Sequence, residues 1–366
     1  QVPCVEAAHS LGLKVIVTDR NAAAPAVALA DDFHPIDTYD YQKHRQLVRW
    51  LIDKKGRHIV GCWTAGADVA PAVAACAEEA GTPGIPFDVA QRTHDKLEVR
   101  RALRALDAKS WTRPLQRRTE IPDWFFLRII APDDPYYVES IGQFMDKHGG
   151  VAVVKPTEQC ASRGVSIVRE KAEIRAAMQK ALPFLNDPRE VLVEEYLQGS
   201  EHSAEIILDG TRGSDAIFFN VVDRFFRYDG GIALELGHVN PSCLSMDDQM
   251  VIYDLLCEAA KALGVTWGAF KADLMWTEDG PKILEVTARL SGGWDSAATT
   301  GLSSGRNPIR AVACISCNLP IIPEDLQGDK ARYAACAAAF PKLGRITKID
   351  VAKLQDLRRG MPQCEQ

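Results

Sequence analysis

Gly268-Ala-Phe-Lys271-Ala-Asp273-Leu-Met-Trp276, then Thr277-Glu-Asp-Gly280, then Lys282-Ile-Leu-Glu285-Val-Thr287-Ala-Arg289 reads as a strand, a turn and a returning strand. Side chains alternate between the faces of a strand, so Lys271 and Asp273 share one face, and Glu285, Thr287 and Arg289 alternate likewise on theirs. Folded as an antiparallel pair, the two strands crowd two carboxylates and two cations onto one surface. Asp273 and Glu285 are hard oxygen ligands of the kind that holds Mg²⁺ together with substrate phosphates. Lys271 and Arg289 carry the charge that would neutralise a phosphoryl group in transfer. The next residues, Leu290-Ser-Gly292-Gly293-Trp-Asp295, form a glycine turn whose amides are suited to receive a carboxylate. Trp267 and Trp294 are expected to pack in the core, with lining a pocket as the competing reading.

Moving toward the N-terminus, Val191-Leu-Val-Glu194-Glu195-Tyr196-Leu197-Gln-Gly199-Ser-Glu201-His-Ser203-Ala-Glu205 is a strand, a short polar hinge and a second strand. Such a hinge offers unpaired backbone groups to an adenine edge, and a nearby carboxylate can hold ribose hydroxyls. Further back, Gly149-Gly-Val-Ala-Val-Val-Lys155-Pro156 is a buried strand ending in a lysine. It runs into the polar small-residue turn Thr157 to Gly164 and the strand Val165 to Val168. A strand, a lysine, a flexible loop and a strand make a hairpin able to fold over a triphosphate. Ahead of it, Thr93 to Leu103 reads as one charged amphipathic helix, with Lys96 and Arg100 on a common face at i,i+4.

The first 85 residues alternate helix and strand. The expected elements are a helix from Val2, a strand at Lys14 to Asp19, a helix at Tyr41 to Lys54, a strand at His58 to Cys62, and an alanine-rich helix from Asp68 stopped by Gly81. This is the rhythm of βαβ units in a parallel sheet. No G-x-G-x-x-G or G-x-x-x-x-G-K-[ST] loop is present, so the phosphates of any nucleotide would be held by other residues. A first strand is expected before Gln1 and a closing element beyond Gln366.

At 366 residues and a net charge of −6, the chain has length for two or three domains and lacks the broad basic field of a nucleic-acid binder. With 46% hydrophobic and 25% charged residues and no apolar run near 20, both disorder and membrane insertion are excluded as expectations. The ten cysteines lie mostly in apolar or alanine-rich stretches and read as reduced thiols of a cytoplasmic protein. Cys314-Ile-Ser-Cys317 has no second pair and no nearby histidine, so it reads as two core positions one helical turn apart.

The order DK-x3-R, VVKP with a small-residue loop, EEYL-x-G-x-E, an acidic strand and EVTARLSGG resembles the ATP-grasp superfamily, in particular its carboxylate–amine ligase branch. The resemblance runs over nearly the whole chain and is most specific at Glu201 to Glu205 and Glu285 to Gly293. It implies an α/β fold with a truncated Rossmann-like N-terminal domain followed by a two-subdomain ATP-grasp fold. On that pattern residues 1–85 form the Rossmann-like domain, 86–111 a linker helix, 112–197 the small lid subdomain, 198–310 the large subdomain with the metal site, and 311–366 a C-terminal segment.

The resemblance also assigns roles. Lys96 and Lys155 would contact ATP phosphates, with Ser162, Arg163 and Gly164 as the lid over them. Glu194, Glu195 and Leu197 would read the adenine and Glu201 the ribose. Asp273 and Glu285 would hold Mg²⁺ or Mn²⁺, while Lys271 and Arg289 would be the catalytic cations near the phosphoryl group and the acyl intermediate. Arg224, Glu235, His238, Gly292 and Gly293 would border the substrate site, His238 having a packing role as its competing reading. Two departures stand out. Thr287 replaces the asparagine that many members carry, which weakens a third metal contact, and Ala161 replaces the first glycine of the lid.

The implied reaction is ATP-dependent: a small carboxylate is activated as an acyl phosphate and joined to an amine or similar nucleophile, with no nucleic acid or membrane partner and with homodimers frequent among relatives. The alternatives are a kinase on the same fold that phosphorylates a small-molecule hydroxyl, and a non-catalytic ATP-binding module.

Overall fold

The computed structural model describes residues 1–104, 121–129, 135–159, 162–186, 189–211, 215–229, 232–338, 340, 345 and 347–348. Among these residues the strands form three sheets. A two-stranded parallel ladder pairs β1 (Ile16–Thr18) with β2 (Asp32–His34). A four-stranded sheet runs in the order β3-β6-β4-β5, with β3 at Trp124–Arg128, β4 at Ala152–Pro156, β5 at Ser166–Val168 and β6 at Glu190–Glu195. A six-stranded antiparallel sheet runs β11-β10-β7-β8-β9-β12, comprising β7 (Ser200–Asp209), β8 (Phe218–Asp229), β9 (Ile232–Asn240), β10 (Trp267–Thr277), β11 (Gly280–Thr287) and β12 (Ala334–Ala337).

The large sheet explains where the chemistry can sit. One face carries Ala204, Ile206, Leu208, Phe270, Ala272, Leu274 and Ile283, all buried under the helix Met246–Leu263. That helix starts where the Ser245 hydroxyl accepts the Asp248 amide N–H, and it stops at Gly264 in the left-handed region. Each large aliphatic chain so buried contributes about 1.5–3 kcal/mol. On the opposite face the alternation gives Ile207, Ala269 and Phe218 at one end, covered by the helix Pro308–Ser316. At the other end of the same face stand Glu201, Ser203, Glu205, Lys271 and Asp273, the polar row of the site. The small sheet is covered on one side by the helices Pro135–Lys147 and Ile174–Ala181 through Ile141, Met145, Ile174 and Met178.

The structure departs from the sequence reading in three places. Residues 58–62 form no strand, because no strand runs beside them among the described residues; instead Gly61 packs against backbone, and a Cβ there would come within 2.6 Å of the Ser316 carbonyl oxygen. The helix expected over 93–103 is two helices, Phe87–His94 and Lys96–Arg104. Asp95 breaks it: its backbone is extended and its carboxylate accepts the Leu97 N–H at 2.8 Å, an N-cap in the middle of the run. The alanine-rich helix begins at Ala70, which leaves Asp68 outside it in the preceding loop. Cys314 and Cys317 are buried free thiols on or beside one helix, as the spacing predicts. Ala161 of the lid and residues 349–366 of the C-terminal segment lie outside the described residues. Among the described residues no helix is long and apolar enough to cross a membrane.

Candidate active site

Strand register assembles the site. Asp273 stands directly opposite Glu285 on β11 and Ser203 on β7, and Lys271 stands opposite Thr287 and Glu205. Glu201 stands opposite Arg224, which in turn faces His238. Directly paired residues project to one face, so β11, β10, β7, β8 and β9 contribute one row each to a single polar surface.

At its centre Arg224 gathers three carboxylates. Its guanidinium donates to Glu201 at 2.9 Å and to both oxygens of Glu235 at 3.2 and 2.8 Å, and lies 2.9 Å from Asp273. It also covers the Phe226 ring at 4.8 Å. Lys271 reaches Asp273 at 2.7 Å. Burial opposes ionisation of Asp273, but Arg224 and Lys271 outweigh it and hold the carboxyl well below its ordinary range. Asp273 Oδ1 is buried and accepts no well-aligned hydrogen bond.

A second group forms beside it. Lys96 lies 3.1 Å from Glu285 and donates to the Gln159 carbonyl at 2.5 Å. Asp68, His94, Lys96, Arg100 and Glu285 line a common cleft. A third group is sealed: Arg100, 1% exposed, and Lys155 both meet Glu194, 2% exposed, at 2.5 Å. Burial would raise the Glu194 carboxyl, but the two cations outweigh it and keep the group ionised. Glu195 pairs with Lys282 at 2.6 Å.

Most residues singled out in the sequence therefore fall into these clusters, with several differences. The Glu194 carboxylate is spent on the ion triad and its backbone stands between strands β3 and β4. The hinge residues outside any ladder are 196–199, which include the buried Leu197. Ser162 and Gly164 take positive φ, and a Cβ at Gly164 would meet Pro156 at 2.8 Å, so the turn of Ser162, Arg163 and Gly164 lies tight against β4. His238 is buried with its Nε2 2.9 Å from the Thr299 hydroxyl, the packing role. Trp294 is 52% exposed at φ +76, not a core residue: the glycine turn forces it into the left-handed region and outward. Trp267 packs half-buried against the core. Gly292 lies against Gly66, where a Cβ on Gly66 would come within 2.7 Å of Gly292 Cα. The Thr287 hydroxyl donates to Asp68 at 3.0 Å.

Sequence reading passed over Asp68, His94 and Glu205. Glu205 continues the alternation of Glu201 and Ser203, which was a usable signal. Its Oε2 accepts the Ser291 N–H at 2.8 Å and the Ser296 hydroxyl at 2.9 Å, pinning the glycine turn to the sheet.

The donor set suits a divalent cation. Two hard carboxylates face each other across β10 and β11, one with a buried oxygen lacking an aligned donor. Among the described residues no three His, Cys, Asp or Glu side chains cluster as a metal site, so the remaining ligands would be phosphate and water oxygens. Lys96 stands 3.1 Å from Glu285 and would compete with such a cation. Lys96→Met is therefore expected to raise Mn²⁺ affinity without nucleotide about threefold to tenfold, read from free Mn²⁺ by electron paramagnetic resonance.

Three buried carboxyls titrate late. Burial, with Asp273 and Glu235 facing it, pushes Glu201 up to about 7 despite Arg224. Burial and Asp295 push Glu205 up to about 7, and burial pushes Asp295 up to about 6. The folded protein thus holds protons that the unfolded chain loses near its ordinary carboxyl range. Their stabilisation is complete below that range and is lost as pH rises through about 6 to 7. His238, lowered by burial, acts in the opposite sense below its ordinary value. The thermal midpoint is expected to fall between pH 5 and pH 8, and Glu205→Gln to flatten that fall; a midpoint that rises over the interval would contradict the assignment.

Comparison with known proteins agrees with this geometry. A family model described as an ATP-grasp domain matches residues 151–298. The chain is 34% identical over 136 residues to a D-alanine–D-alanine ligase of Geotalea uraniireducens (strain Rf4), covering 37% of this chain and 42% of that one. It is 23% identical over 372 residues to carnosine synthase 1 of Gallus gallus, covering 97% of this chain and 38% of the relative. The chain thus spans about two fifths of the length of these relatives. Among solved structures, the L-amino acid ligase from Bacillus licheniformis superposes with a TM-score of 0.71 at 19% identity, over 97% of this chain and 81% of that one. The two-sheet architecture with its acidic strand pair is an ATP-grasp fold. Residues 151–298 match the ATP-grasp domain, the fold is shared with the ligase structure, and the sequence similarities run to carboxylate–amine ligases.

Proposed function

We propose that this protein is an ATP-dependent ligase that activates a small carboxylate as an acyl phosphate and joins it to an amine or similar nucleophile. The observation that carries the reading is the direct opposition of Asp273 and Glu285 on one sheet face, with Lys271, Arg224 and Lys96 against them. A substrate carboxylate oxygen attacks the γ-phosphorus of ATP and ADP leaves. The nucleophile then attacks the acyl carbon, phosphate leaves, and an amine gives up its proton.

This chain's residues supply position and charge, not a covalent nucleophile. Lys96 and Lys271 would meet phosphoryl oxygens by exchanging their carboxylate partners, and Arg289 would meet the acyl group. The Gly292 and Gly293 turn, fixed by Glu205, would present its amides to a carboxylate. A divalent cation held by Asp273 and Glu285 would neutralise phosphate charge when bound. The backbone of 196–198 would read the adenine edge.

The experiment is ADP release with MgATP across pooled carboxylates, each with and without pooled amino acids and amines. Turnover requiring both pools is the expected result. A stable product that carries phosphate would replace the ligase by a kinase on the same fold, and MgATP binding without turnover in any pool would withdraw the activity.

A further inference from the structure

Asp68 belongs to the N-terminal layer, in the loop ahead of the helix Ala70–Ala80, yet its partners belong to the acidic strand pair. The Thr287 hydroxyl donates to its Oδ1 at 3.0 Å, and Arg289 Nε lies 3.6 Å from the same oxygen. His94 Nδ1, at the end of the helix Phe87–His94, lies 3.8 Å from Oδ2. Burial opposes its charge, but Arg289, His94, Thr287 and Lys96 outweigh this and keep the carboxyl below its ordinary value. Among the described residues Asp68 is the one carboxylate at ion-pair distance from Arg289, whose Nε is buried without an aligned acceptor and whose Nη1 donates to the Leu290 carbonyl at 2.9 Å. The loop that carries Asp68 is itself seated, since Gly66 and Gly292 meet backbone to backbone.

We propose that Asp68 is a positioning residue of the reaction: it seats the Arg289 guanidinium beside the glycine turn and draws the Thr287 hydroxyl toward the N-terminal layer. Docking of that layer thereby completes the part of the site that handles the acyl group. A guanidinium held at one end by an anion keeps its remaining donors in a fixed plane, which is what planar recognition of a carboxylate or acyl phosphate requires. Without Asp68, Arg289 retains a backbone carbonyl as its partner and turns about its long side chain. The sealed triad of Arg100, Lys155 and Glu194 does not depend on this contact.

The catalytic arm of the test rests on the ligase reading; the chemical arm does not. In the first, Asp68→Asn is compared with wild type for ADP release on the active pools and for MgATP affinity by calorimetry. The expected result is a 10- to 100-fold fall in kcat, in the range for losing an outer partner of a site residue, with MgATP affinity within about twofold. In the second, both proteins react with phenylglyoxal, and the adduct is counted on the tryptic fragment left uncut at Arg289. Removing the anion frees the guanidinium to turn toward the dicarbonyl, so the Arg289 adduct should form at least about threefold faster.

An unchanged adduct rate, or a fall in MgATP affinity that parallels the fall in kcat, overturns the proposal. If wild type turns over no pool, the ligase reading fails and the adduct rate alone decides whether Asp68 seats Arg289. Should Asp68→Asn not fold, Asp68→Ser removes the charge with a smaller side chain and is read by the same two arms.

Discussion

Asp273→Asn is expected to lower substrate-dependent ADP release about 10²- to 10³-fold while leaving the fold intact. The magnitude is that of losing one preorganised electrostatic group. Asp273 stands between Lys271 and Arg224, its Oδ1 lying 2.7 Å from the first and 2.9 Å from the second. The amide keeps the shape and can still accept a hydrogen bond, but it cannot anchor two cations or offer an anionic oxygen to a third. Circular dichroism and calorimetric titration with MgATP separate loss of chemistry from loss of structure. Activity above a tenth of wild type would remove Asp273 from the chemistry.

Glu194→Leu should produce the largest loss of stability, about 3–5 kcal/mol, the range for breaking a buried ion pair by removing one partner. The triad links the helix Lys96–Arg104, β4 and β6, and Arg100 also donates to the Leu284 carbonyl of β11 at 2.7 Å. With the carboxylate gone, two sealed cations face each other without compensation. Replacing all three together, Arg100→Met, Lys155→Met and Glu194→Leu, should recover most of the loss, because apolar side chains of similar volume need no compensation. Urea unfolding of the single and triple variants measures both. A single variant within 1 kcal/mol of wild type would mean that the cluster is open to water in solution.

What was legible in the sequence was local. The hairpin of β10 and β11 follows from alternation within the eleven residues of the first strand and the eight of the second, and its facing carboxylates follow from the turn that joins them. Glu201 and Arg224, which sit on adjoining strands, were reached only through the family resemblance. Local periodicity failed where a side chain overrode the pattern. Asp95 interrupts a run with helical periodicity because its carboxylate caps the next turn, and Trp294 leaves the core because two glycines set its backbone in the left-handed region. It also failed where partners are far apart in the chain. Arg100 and Glu194 are 94 residues apart, and Asp68 and Thr287 are 219 apart, so no periodicity could announce either pair. The assignment of Glu194 to the adenine did not foresee that Arg100 and Lys155 lie against its carboxylate.

Lys96, Lys271 and Arg289 each face a carboxylate of the same site, so their fields largely cancel a short distance beyond the mouth. An approaching nucleotide then meets little attraction until it touches the cleft. Its arrival is governed by ordinary diffusion and orientation, and ionic strength should alter the association rate only weakly. Selectivity for a polyanion resides instead in the last few ångströms, where the phosphate must outbid a built-in anion for each cation it takes.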